Sequence, residues 1–397
     1  MMFENSSSND VILTQNINVN TVFDGIKRND NVFVMGHNDN DIANSYIIPN
    51  IMQANKNYVV TDIDGKVFAE TEKHLKEQGY EVKLLDFNNI SALPYLNPFA
   101  FITNYQKLKL VIDCIMDNTD SDSSKTQDPF WRICEAMLLE SIFAYIWMHR
   151  PSEERNPESI IKQLKLAGEE SLASHEKNQL DELFENLAKF CPNSDAVILY
   201  NKFRSVCKHP SVLKSIVIGC CVRLTSFVLI KNPEHEHFDF SSFLNEEKKA
   251  LFIIPDSKNL FDLMISLIYL NLSSTTKTPT GFIVSKTKSD GKFPCILNFI
   301  IREMHNPILS YSVIVNNIEH FKTAYPQSWE SILSTFDNML LLDNKENENV
   351  NCFINTSLFC SSDKSHKDLY NEISSLSDDE CMLSMRGRTS ETDKKHT

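Results

Sequence analysis

Short apolar runs alternate with stretches of helical repeat through the first hundred positions of the chain. Residues 31–35 (NVFVM), ending at Gly36, read as a buried strand. Residues 58–61 (YVVT), running into a turn at 62–65, and residues 81–86 (EVKLLD) read as two more. Between them, 43–53 and 67–78 fit helices, the second stopping at Gly79. Strands alternating with helices of this length predict βαβ units and a parallel sheet.

The pattern changes after the polar stretch 117–127. From Asp128 to Ile230 the apolar positions recur at helical spacing, with Trp131, Met137, Leu138, Phe143 and Trp147 on the first stripes. Helices at 157–168, 177–189, 196–207 and 211–229 complete an all-α insertion. Strand-like runs then resume at 250–254, 295–301, 311–315, 339–342 and 352–355, with a helix at 261–272 and a polar loop at 273–292. The expected organisation is an N-terminal segment (1–27), an α/β part (28–116), the all-α insertion (128–230), a second α/β part (248–385) and a flexible tail (386–397). No solenoid repeat is present.

Composition narrows the function classes. The chain has 397 residues, enough for two compact units. It carries only 9 glycines, and phosphate-cradling loops depend on glycine to bring backbone N–H groups close to a ligand. A net charge of −14 argues against tight autonomous binding to DNA. The ten cysteines are scattered with no C-x-x-C pair, which favours reduced thiols in a cytoplasmic protein over a disulfide framework or a zinc site. There is no basic-then-apolar leader at the N-terminus and no run long enough to span a bilayer.

Several strings together resemble the TraG/TraD-type coupling proteins of conjugative type IV secretion. In order they are RNDNVFVMG, YIIPNIMQANKNYVVTDIDG, LKEQGYEVKLLDF, LNPFAFI, DPFWRICEAMLLESIFAYIW, SIVIGCCVRLTSF, KKALFIIPDSKNLFDLMISLIYLNL, ILNFIIREMHN and CMLSMRGR. They cover nearly the whole chain. The resemblance implies a RecA-like P-loop NTPase-type parallel sheet with an inserted all-α domain. It also implies work with DNA, relaxosome proteins and a secretion channel at the cytoplasmic face of a bacterial membrane, as a homo-hexamer or alongside an intact paralogue. The membrane anchor that precedes this domain in the family is not matched.

The chemistry of the family does not follow so easily. A P-loop reads G-x-x-x-x-G-K-[ST], with Lys on the β/γ-phosphates and the hydroxyl on Mg²⁺. Counting from Gly36 without a gap puts Asp41 at the second glycine, Ile42 at the lysine and Ala43 at the hydroxyl. Asp39 and Asp41 add carboxylates where phosphate oxygens belong, and like charges ~4 Å apart at an effective dielectric of ~20 repel by about 4 kcal/mol. The resemblance aligns FIIREM with the Walker B strand, placing Arg302 at the metal-organising aspartate and Glu303 at the water-activating acid. It aligns Asn316 with a glutamine that follows the next strand. The expectation is a pseudo-ATPase with no metal, no ATP and no cofactor, ATP and Mg²⁺ entering only if the degenerate site still binds; the alternative is an active translocation motor with an atypical site.

Other constellations carry less. VVTDIDGKVF resembles the opening motif of haloacid-dehalogenase-type phosphatases, with Asp62 as nucleophile and Asp64 as acid/base, but the usual Thr is Lys66 and no matching metal motif follows. The string EHEH at 234–237 has metal-binding residue types in a polar linker, where a solvated loop is the plainer reading. His37 and His305 flank the nucleotide position without forming a triad. Lys202, Arg204, Lys208 and His209 make a modest basic cluster.

Overall fold

The computed structural model describes residues 11–19, 22–23, 26–119, 128–169, 177–229, 238, 240–256, 262–285, 306–326, 328–360 and 364–396. They divide into two compact units: residues 1–89, 240–262 and 272–397 form one, and residues 90–239 with 263–271 form the other.

The first unit is built on a sheet. After the small hairpin β1 (Val22–Phe23) and β2 (Ile26–Lys27) come β3 (Val32–Met35), β4 (Asn57–Thr61), β5 (Glu81–Asp86), β6 (Lys249–Ile254) and β7 (Thr280–Ser285). They are followed by β8 (Leu309–Val315), β9 (Asn338–Leu341), β10 (Glu380–Met385) and β11 (Glu391–Lys394). Strands β3 to β11 join in the order β11-β10-β9-β3-β8-β7-β4-β6-β5. All neighbours are parallel except β10, which runs antiparallel to both β9 and β11. Strands β3, β4, β7 and β8 are buried along their whole length, as central strands covered on both faces must be. Alternation along β3 sends Val32 and Val34 into one core with Tyr46, Ile51 and Val60. Phe33 points the other way, edge-on to Phe321 and Phe336 with ring centroids 5.4 Å apart.

The sheet differs from the sequence reading in three places. Residues 280–285 form β7, a central strand, where a polar loop was expected; Thr280 and Ser285 are buried and hydrogen-bonded, so polar residue types concealed an interior strand. Residues 352–355, expected as a strand, lie within the helix Asn347–Cys360. The tail is not frayed, because Glu391–Lys394 pairs with β10. The expected strand 295–301 lies outside the described residues. Helix Lys66–Glu77 does end as anticipated, with Gly79 at φ +84°, a conformation that only glycine adopts without penalty.

The second unit is helical. Its central helix, Pro129–His149, starts from Asp128, whose carboxylate accepts from the Phe130 amide, and is buried from Leu138 to Ile146 with few breaks. Helices Pro157–Gly168, Gln179–Phe190, Asp195–Val206 and Pro210–Arg223 surround it. The unit also takes in helix Tyr105–Thr119, so it starts earlier in the chain than the 128–230 insertion. Phe184 stacks on Tyr200 with centroids 4.0 Å apart. Glu135 and Arg223, both largely buried, pair at 2.7 Å. No helix among the described residues is long and apolar enough to cross a membrane.

Candidate functional site

In open α/β sheets, ligands bind at the carboxyl ends of parallel strands. Here that edge is formed by β3, β8, β7 and β4. Strand β3 runs into Gly36, whose amide donates to the Val315 carbonyl. A Cβ at this position would lie 3.1 Å from Ile42 Cγ1 and 3.2 Å from Leu342 Cβ, so the close approach calls for glycine. The next helix starts at Asp39. Its N-cap is Asn38, whose side-chain oxygen accepts from the amides of Asn40 (2.8 Å) and Asp41 (3.3 Å). The first turn, Asp39–Ile42, passes into a π-helical turn over Ala43–Ile47 before α geometry resumes at Ile48–Met52. Pro49 has no N–H for the carbonyl four residues back, and the Ile48 amide bonds five residues back to Ala43.

The loop's side chains are committed within the chain. Ile42, at the lysine position, is 1% exposed and belongs to the core with Val34, Val60 and Ile314; Ala43 lies in the same cluster. Asp41 accepts from Lys395 Nζ at 2.6 Å through one oxygen and from Ser45 Oγ at 3.1 Å through the other. Asp39 accepts from the Asn316 side-chain amide at 2.7 Å. The His37 amide donates to Asp343 at 2.7 Å, and its ring Nδ1 lies 2.9 Å from Glu346. Gly36, Asp41, Ile42 and Ala43 lie along this turn, and Asn316 reaches it through Asp39. Lys395, Asp343 and Glu346 join them from more than 300 positions away, with no local signal in the sequence. The turn thus carries the carboxylates of Asp39 and Asp41, the second holding the Lys395 ammonium, while Ile42 turns into the core.

Beside this turn is a cavity of about 160 Å³ lined by Ile42, Ala43, Thr61, Asp62, Asp64 and Ser285, among others. It is small against the ~300–1,000 Å³ usual for small-molecule sites. Ser285 ends β7, which lies between β4 and β8, and its hydroxyl donates to the Thr61 carbonyl. Arg302, Glu303 and His305 lie outside the described residues, as does the EHEH string. Asp62 is buried and accepts from the amides of Val67 (3.3 Å) and Phe68 (2.8 Å), one to each oxygen. Burial pushes its carboxyl above the usual carboxylate range, against the pull of those amides. Asp64 accepts from the Lys66 amide. Both aspartates therefore shape the start of helix Lys66–Glu77. In the helical unit, Arg204 of the basic cluster pairs with Asp181 at 2.8 Å and donates to the Cys207 carbonyl. Among the described residues, no group of three or more His, Cys, Asp and Glu side chains is placed to share a metal ion.

A nine-stranded, mostly parallel sheet carrying a strand–turn–helix at this edge defines the class of RecA-like P-loop folds. The chain belongs to the type IV secretory system conjugative DNA transfer family, whose model matches residues 26–225, half of its length. Among solved structures it is similar to the bacterial conjugative coupling protein TrwB in its unbound form (12% identity, 99% of this chain and 90% of that one, TM-score 0.64). The same figures hold for TrwB in complex with ADP and Mg²⁺. It is also similar to VirB4 of Thermoanaerobacter pseudethanolicus (12% identity, 99% and 98% coverage, TM-score 0.55). No curated protein sequence matches it. The chain is a coupling-protein-like type IV secretion component of conjugative DNA transfer.

Proposed function

We propose that within conjugative transfer this chain acts by binding and not by ATP hydrolysis. The observation that carries the reading is the burial of Ile42 in the core at the lysine position, beside an Asp41 already neutralised by Lys395. Phosphoryl transfer needs a cation on the β/γ-phosphates, a hydroxyl and an acid for Mg²⁺, and a positioned water. Ile42 and Ala43 supply neither of the first two. In chain order, β7 precedes β8 and pairs with it, so we assign β7 rather than FIIREM to the place of the Walker B strand. Its last residue, Ser285, brings no carboxylate and spends its hydroxyl on Thr61. The partners that fit this reading are the secretion channel, relaxosome proteins and transferred DNA at the cytoplasmic membrane face. Assembly would be with copies of itself or an intact paralogue.

Thermal unfolding with and without MgATP tests the proposal. The wild-type chain is expected to show no shift in Tm at millimolar nucleotide. At a hundredfold excess over Kd, a binder gains about 2.7 kcal/mol, a shift of several degrees. Such a shift, abolished by Ile42→Ala, would instead support the atypical motor.

A further inference from the structure

We infer that Lys395 and strand β11 form a strap that closes the turn at residues 36–43 from within the same chain. This deepens the reading of that turn as a site without nucleotide. Three separate parts of the chain meet there in a closed ring of contacts. The first link runs from the tail to the turn. Lys395 is 6% exposed, its amide donates to the Asp379 carbonyl, and its ammonium donates to Asp41 at 2.6 Å. The second runs from the tail to the segment at residues 11–19. Asp393 accepts from the Thr14 hydroxyl at 2.6 Å and from the Asn16 side chain at 2.8 Å, while the Gln15 amide donates to the Lys394 carbonyl. The third returns from that segment to the helix that follows the turn. Asn50 accepts from the Ile12 amide and donates to the Ile12 carbonyl, both at 2.9 Å, as a strand neighbour's backbone would. Val11, Leu13 and Val19 add apolar contact in the same core as Ile42 and Tyr46.

The ring identifies Lys395 as its latch. A largely buried ammonium is held in place by the carboxylate opposite; removing Asp41 strands Lys395 in the interior, while Asp41, half-buried, still keeps Ser45. A ligand that approaches Asp41 from the side of Asn38 and Asp343 meets this lysine first, so on that side the turn already holds a primary ammonium supplied in cis. Replacing the P-loop's second glycine by aspartate has then inverted the sign of the site and given it an internal occupant.

Hydrogen–deuterium exchange on the full chain tests the strap without nucleotide. It is therefore independent of the ATP experiment: Tm stabilisation by ATP would sink the binding-only reading and leave these exchange rates as they are. Lys395→Met is expected to speed exchange at residues 391–394 and at the Leu13 and Val19 amides by about tenfold or more, with β3 and β8 unchanged. Asp41→Asn, which keeps the size of the side chain, is expected to loosen the same segments from the other side of the pair. Wild-type rates in both variants would overturn the inference, and so would an equal rise in β3 and β8.

Discussion

Two side chains show how much a single position decides. A Cβ at Gly219 would fall 1.9 Å from Glu135 Oε1, inside any tolerable contact, and that carboxylate is fixed by Arg223 at 2.7 Å. Gly219→Ala should therefore cost about 1–3 kcal/mol through overpacking, read as a lower urea midpoint. Arg223→Met, which strands a buried Glu135, should cost about 3–5 kcal/mol. Unchanged midpoints in both would mean that these two helices do not pack as described. Asp62 gives a pH dependence. Its carboxyl is raised by burial, so over the window above the ordinary carboxylate pKa the folded state holds more protons than the unfolded one. Its contribution to stability is complete at low pH and falls as pH rises through the folded value. Comparing Tm for wild type and Asp62→Asn from pH 4 to 7 should show the wild type losing ground to the variant as pH increases. Parallel curves would count against the burial argument.

At the scale of elements, the helix that follows Gly36 depends on its own cap. Asn38→Ala removes the acceptor for two amides and should lower stability by about 1 kcal/mol, whereas Asn38→Gly should cost only a few tenths. Equal losses in chemical denaturation would show that the side chain does not cap. Most elements were legible before the structure. The strand at 250–254 and helices at 67–78 and 157–168 have apolar spacing that matches their burial, while the strand at 81–86 forms as expected but leaves Leu84 exposed at the sheet's margin. What escaped did so for physical reasons. Strand β7 is buried on both faces yet begins with Thr and ends with Ser, because both side chains find partners inside. The run CFIN looks like a strand in isolation, but it sits in a 14-residue helix whose length no four-residue window can report. Of the site, the Gly36–Ile42–Ala43 spacing was readable as a motif. Lys395 was not, since only the pairing of β11 with β10 carries it back to Asp41.

For the whole molecule, charge sets a limit on how the chain meets DNA. A net charge of −14 repels a polyanion, and Arg204 of the one basic cluster singled out is already paired with Asp181. Autonomous binding to duplex DNA near physiological salt should be weaker than the ~10⁻⁴–10⁻⁶ M of ordinary non-specific binders. Fluorescence anisotropy with a short labelled duplex would show it, and a Kd in the nanomolar range would mean that local charge outweighs the total.

The order of the strands has one more consequence, for how this chain can meet another. A sheet's outermost strands offer unpaired backbone groups that invite another chain to extend the ladder, and charged side chains there discourage it. One border is β5, with Glu81 and Lys83 exposed. The other is β11, whose four residues ETDK include three charges and whose Lys394 carbonyl is already taken by the Gln15 amide. Among the described residues, both margins carry charges that work against adding a further strand, which favours contacts through helix faces and loops over extension of the sheet.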